Sequence, residues 1–155
     1  MKYAKLLGLG LMVVALAATG CDKPAEPTKA PIGKEPEHTH GKGPNGGVMF
    51  DFGKVHGEFS VDHDKKECTV LVIGDDEKTP VPVAAKDFTV TTKASKTKEG
   101  KVVAAMTIKM LPKDEKGGKA TKYVGTDPGL GNVADFEGTV LAEIDGKPSK
   151  GEFKE

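Results

Sequence analysis

Val48-Met49-Phe50-Asp51-Phe52-Gly53-Lys54-Val55-His56-Gly57-Glu58-Phe59 is the stretch on which the fold turns. Large apolar and other side chains alternate through it with the period of two that a half-buried strand requires. Gly53 stands where a two-residue type II′ turn needs a positive φ, so the segment folds back at Gly53-Lys54. Pairing outward sets Phe52 opposite Val55, Phe50 opposite Gly57 and Val48 opposite Phe59 on one face. The other face receives Asp51 opposite His56 and Met49 opposite Glu58. The aromatic and branched groups all gather on one side. A one-residue slip would turn them to solvent, so the register is specified.

The C-terminal end reads the same way. Val140-Leu141-Ala142-Glu143-Ile144 runs into Asp145-Gly146, a type I′ turn signal, and Lys147 to Phe153 returns. Ile144 then faces Lys147, Ala142 faces Ser149, and the Phe153 ring covers Gly138. Between the two hairpins, short alternating runs recur between Gly, Pro, Asp and Lys clusters, with no helical period. The expected strands are 47–52, 54–61, 67–73, 80–84, 87–95, 101–111, 120–124, 136–145 and 147–154. In 101–111, Val102, Ala104, Met106, Ile108 and Met110 share one face. Pro80 and Pro82 confine 80–84 to a sheet edge, because proline cannot donate to an interior ladder. This pattern over 46–155 predicts an all-β domain, an immunoglobulin-like antiparallel β-sandwich, with a small barrel as the alternative.

The chain before the domain has another character. Met1-Lys2-Tyr3-Ala4-Lys5 is a short basic start, followed by an uncharged apolar run from Leu6 to Ala18, so residues 1–20 read as a signal peptide. The run is about 13 residues, short of the roughly 20 that a membrane-spanning helix needs. Ala17-Ala18-Thr19-Gly20 leads to Cys21 and resembles a bacterial lipobox. That resemblance implies cleavage before Cys21, acylation of its thiol with chains such as palmitate, and a stable membrane anchor. The place implied is the bacterial cell envelope, facing the periplasm. Asp22 resembles an inner-membrane retention signal. Residues 21–45 carry Pro24, Pro27, Pro31, Pro36 and Pro44, and Ile32 alone is large and apolar. Such a segment cannot bury enough surface to offset its ordering entropy, so a disordered linker is expected. Its extended reach is roughly 80 Å.

Charge narrows the partners. The 155 residues hold 23 Lys+Arg and 23 Asp+Glu, and every cation is a lysine. With no cation surplus to displace counterions and no arginine fork, nucleic acid is not an expected partner. Loss of Lys2 and Lys5 with the signal leaves the mature chain slightly acidic.

The chemistry-bearing residues are few. No Gly-x-Ser-x-Gly elbow, Walker loop, Cys-x-x-Cys or His-Glu-x-x-His occurs, so the chain is not expected to be an enzyme. Gly125-Thr126-Asp127-Pro128-Gly129-Leu130-Gly131 has the wrong spacing for a phosphate loop, and Asp127 there caps a short helical turn starting at Pro128. With Cys21 assigned to lipid, Cys68 is alone; it shares a strand face with Val70 and Val72 and is expected to be buried and inert. A thiol-dependent envelope enzyme, the remote alternative, would need a histidine beside that strand, and none can be placed there. Asp62/Asp64 and Asp75-Asp76-Glu77 fall at strand connections and read as solvated turns, without the spacing of a calcium loop. His38-Thr39-His40 offers two imidazoles that can hold a borderline divalent ion. His56 and Glu58 point to the outer face of the first hairpin with Asp51 across from them, and His63 follows at the end of the ribbon. The candidate ligands for copper or zinc are therefore His38, His40, His56, Glu58, Asp51 and His63. The plainer reading of His56 opposite Asp51 is a solvated cross-strand pair.

Gly43-Pro44-Asn45-Gly46-Gly47-Val48-Met49-Phe50-Asp51-Phe52-Gly53, then Val55-His56-Gly57-Glu58-Phe59, resembles a pattern in small bacterial periplasmic lipoproteins of unassigned role. There a His-Gly-Gly start leads into a hydrophobic hairpin with a His-x-Glu-like second strand. The ending Ile144-Asp145-Gly146-Lys147-Pro148-Ser149-Lys150-Gly151-Glu152-Phe153 is similar to theirs, so the resemblance covers most of 43–155. This chain departs from the pattern in having Asn45 in place of the histidine and no histidine tail. More weakly, about 45–83 resembles a domain at the N-terminus of periplasmic adaptor subunits of heavy-metal efflux systems. The resemblance implies a metal-related role and carries over only to His56 and Glu58. The expected function is thus a non-catalytic, membrane-anchored envelope protein with a binding or scaffold role, handling copper or zinc. The rival is a structural sandwich that contacts an envelope protein partner through an exposed sheet edge.

Overall fold

A computed structural model describes residues 40–155. The signal, Cys21, Asp22 and the linker through His38 and Thr39 lie outside the described residues.

The first hairpin forms as its turn dictates: β1 (Val48–Phe52) pairs with β2 (Val55–Asp62), with Phe50 opposite Gly57 and Asp51 opposite His56. Gly53 takes φ 71°, the conformation a type II′ turn asks of its first central residue. The chain continues as a meander into β3 (Glu67–Ile73), which pairs along β2 with His56 opposite Ile73. It then crosses to a second sheet as β4 (Ala85–Thr92). A small separate ribbon of β5 (Ser95–Lys96) and β6 (Val102–Val103) follows. β7 (Thr107–Lys109) joins the second sheet, and β8 (Leu111–Lys113) and β9 (Lys122–Thr126) return to the first. The closing hairpin of β10 (Glu137–Ile144) and β11 (Lys147–Lys154) completes the second sheet. Asp145 and Gly146 have φ 46° and 79°, as a type I′ turn requires, and Gly138 lies opposite Phe153. All pairings are antiparallel, in orders β1-β2-β3-β9-β8 and β11-β10-β4-β7. The molecule is an all-β sandwich. Its strand order differs from the ABED and CFG sheets of an immunoglobulin domain, because β1, β2 and β3 are sheet neighbours in succession.

The core lies between the sheets. The Phe59 and Phe153 rings stack at 4.0 Å between centroids, one from each sheet, and Phe88 meets Tyr123 at 4.4 Å. Tyr123 is buried but its hydroxyl donates to the Val83 carbonyl at 2.8 Å, so that hydroxyl is not stranded. Phe50 fills the place that Cβ atoms at Gly57 and Gly151 would take, at 2.2 Å and 2.3 Å from its ring. A Cβ on Gly151 would also lie 2.5 Å from the Asp51 carbonyl, so β11 runs hard against β1 and closes one side of the sandwich.

Three expectations change. Residues 80–84 form no strand; Pro80 bridges Ile73 and Val83 bridges Ala120 as isolated contacts, since the prolines cannot sustain a ladder. The run 101–111 is not one strand but β6, β7 and the start of β8, and Val103, not Val102, is buried. The phase breaks at Ala104-Ala105, where the chain leaves the ribbon for the second sheet. Ile108 pairs with Val90 there, whereas Leu111 pairs with Val124 in the first sheet, so one alternating run serves two sheets. Finally, residues 40–45 belong to the fold and not to the linker: Lys42 bridges Val48, and Gly43 donates to the Gly47 carbonyl at 2.8 Å.

Candidate metal centre

Three segments far apart in sequence meet at the turn end of the first hairpin. β2 contributes His56, and β1 contributes Asp51 opposite it. His56 Nδ1 lies 3.2 Å from the Gly74 carbonyl. A carbonyl only accepts, so Nδ1 donates, and Nε2 is the ring nitrogen left for a ligand. That is the arrangement in which a backbone group orients a ligating imidazole.

The second segment is the turn after β3. Gly74 donates to the Thr79 carbonyl and Glu77 to the Gly74 carbonyl, at 2.9 and 3.0 Å. The Asp76 carboxylate accepts from the backbone N–H groups of Lys78 and Thr79, at 3.1 and 2.9 Å, and from the Thr79 hydroxyl. Those hydrogen bonds, the hydroxyl's foremost, hold the Asp76 carboxyl at about 2. Glu77 sits in this turn with φ 55°, unusual for a residue with a side chain, and its carboxylate reaches back over His56.

The third segment is a strap, residues 40–47, that lies over the outer face of the hairpin and brings in His40. His40 Nε2 is 3.0 Å from Asp51 Oδ1, and Nδ1 is 3.3 Å from Glu77 Oε1. His56 Nε2 is 3.5 Å from the same Asp51 oxygen and 3.8 Å from the same Glu77 oxygen. The two imidazoles meet edge to face, with centroids 5.2 Å apart. One ligand atom from each of His40, His56 and Glu77 lies within 4.8 Å of the others. Donors on a tetrahedral ion with bonds near 2.1 Å stand about 3.4 Å apart, and the 3.5 and 3.8 Å from His56 Nε2 to the two carboxylates are near that spacing, with one nitrogen of His40 to complete the set. The histidine side chains are 7% and 15% exposed and the carboxylates 37% and 50%, which leaves the cluster open on its acidic side. Two imidazole nitrogens and carboxylate oxygens make a donor set for a borderline divalent ion such as Zn²⁺ or Cu²⁺.

The candidates from sequence divide. His40, His56 and Asp51 come together, and His38 lies outside the described residues. Glu58, expected as a ligand on the outer face of the hairpin, is corrected: the strap covers that face, and Glu58 is 1% exposed with Met49 also buried. Its carboxylate is taken up by the Asn45 and Gly47 backbone N–H groups and the Asn45 side-chain amide. His63 is corrected too, since its Nδ1 contacts the Leu130 carbonyl at 2.7 Å, beyond the far end of β2. Glu77 was missed because its acidic run read as a solvated turn. The available signal was the β2–β3 register: Ile73 opposite His56 puts the turn that follows Ile73, with its acidic run, at that histidine's end of the hairpin. Asp127 caps its 3-10 turn, Pro128–Gly131, through Gly129 N at 2.8 Å. Cys68 is fully enclosed, its sulfur 3.7 Å from that of Met110, and burial pushes the thiol up to about 12.

No protein-family model, curated protein or solved structure matches the chain.

Proposed function

We propose that this chain is a non-catalytic, lipid-anchored protein of the bacterial cell envelope whose sandwich binds one divalent transition-metal ion, zinc or copper. The convergence of His40, His56 and Glu77, with Asp51 against both imidazoles, carries the proposal. The anchor rests on the signal-like residues before Cys21. Two carboxylates beside two imidazoles concentrate negative charge where a cation would sit, and a cation there relieves their mutual repulsion. His56 would ligate through Nε2, the nitrogen its bond to Gly74 leaves available. Calorimetric titration of the full chain in detergent micelles with Zn²⁺ and Cu²⁺ tests this. One-site binding is expected, weakened about tenfold or more in His40→Ala and in His56→Ala. The absence of heat above the buffer blank at micromolar protein overturns the proposal.

A further inference from the structure

Glu58 is a buried carboxylate with no lysine against it among its hydrogen-bond partners. It accepts from Asn45 N at 2.8 Å, Asn45 Nδ2 at 2.8 Å and Gly47 N at 2.9 Å, and every one of these donors lies on the strap. The strap in turn is shaped to wrap this one side chain. A Cβ on Gly43 would lie 2.4 Å from Glu58 Cδ, and one on Gly47 would lie 2.9 Å from its Cγ and 2.3 Å from the Phe59 carbonyl. Only glycine fits at both places. Gly46, at φ 83°, makes the turn between them and donates to the Gly43 carbonyl at 2.9 Å. The strap therefore has a fixed point at Glu58 and a bridge from Lys42 to Val48, and His40 follows two residues before that bridge. Apart from its own side-chain contacts, these are what determine where the His40 imidazole sits.

We propose that Glu58 is the positioning residue of the metal centre: its carboxylate locks the strap through three N–H donors and so delivers His40 to His56, Asp51 and Glu77. This rests on the metal reading above, though Glu58 itself touches no ion. An ionised carboxylate only accepts, which suits a set of partners that only donate. The Asn45 and Gly47 backbone N–H groups share Oε1, so a glutamine carbonyl could keep both, whereas leucine keeps most of the volume, offers no acceptor and loses all three bonds.

The test is a cycle on the full chain with Zn²⁺ as the probe, using Glu58→Leu, His40→Ala and the double variant. Glu58→Leu is expected to weaken zinc binding about tenfold, to the level of His40→Ala, and to add nothing further in the His40→Ala background. Gly43→Ala, which leaves the carboxylate in place but pushes the strap off it, is expected to do the same. Equal weakening by Glu58→Leu in both backgrounds, or wild-type affinity in Glu58→Leu, overturns the proposal. A metal-free readout separates this result from the fate of the metal reading. In Glu58→Leu the Asn45 and Gly47 amides are expected to lose exchange protection, and the His40 ring resonances to move to those of a free histidine, while Phe59 and Val70 amides stay protected. Unchanged His40 resonances in that variant sink the positioning role, whether or not the wild type binds zinc.

Discussion

Cys68 and Glu58 are both enclosed in the same small domain, among different neighbours. Glu58 is surrounded by donors. Cys68 has apolar walls and the Met110 sulfur, so burial raises its thiol to about 12 from 9.0. A raised value stabilises the fold wherever the thiol is protonated in both states, and that contribution drains away as pH climbs from the unfolded value toward the folded one. Between about pH 9 and 12 the native state should lose up to about 1.4 kcal/mol per pH unit through this one group. Urea midpoints at pH 8, 9, 10 and 10.5 check this: the decline should be steeper in the wild type than in Cys68→Ala, and parallel declines exclude it. At pH 8 a thiol reagent should modify Cys68 only as fast as the domain opens. A nucleophile in this position would react at once.

Among the elements, the two terminal hairpins were legible because each is specified locally. Gly53 and Asp145-Gly146 fix the turns, and a period of two does the rest. The middle of the chain was harder. Residues 101–111 alternate as a strand should, but alternation cannot tell one sheet from two, and the transfer from β7 to β8 depends on which partners remain unpaired. The strap was illegible for a different reason. Its Pro and Gly content is that of a linker, and what orders it is a carboxylate beyond the next turn and strand. Half of the metal cluster, His56 and Asp51, could be read from hairpin register; Glu77 required the register of β3 against β2 as well. The close approach of β1 and β11 was equally hidden, and it makes a prediction. Gly57→Ala and Gly151→Ala should each cost about 1–3 kcal/mol, measured by chemical denaturation. Gly151→Ala should be the worse, because its Cβ meets the Asp51 carbonyl as well as the Phe50 ring, and a backbone cannot rotate aside. If the two variants cost the same, the strands are not pressed together as described.

For the whole molecule, the proposed envelope role places a sandwich behind a lipidated Cys21. In a bacterial host, Cys21→Ser should move the protein from the membrane fraction to the soluble one and abolish palmitate labelling. Membrane retention of that variant would argue against the anchor. The metal reading does not depend on this result, since every proposed ligand lies at or beyond His40.

The strap has a mechanical consequence. Tension applied through the chain before His40 enters the fold at the strap, ahead of any sheet. The first bonds to carry that load are the imidazole contacts of His40, the bridge of Lys42 to Val48, and then the three donors on Glu58. A metal ion shared by His40 and His56 would act as a rivet across the point where the pull arrives, so that force on the preceding chain is met by coordination bonds before it reaches the ladder of β1 and β2.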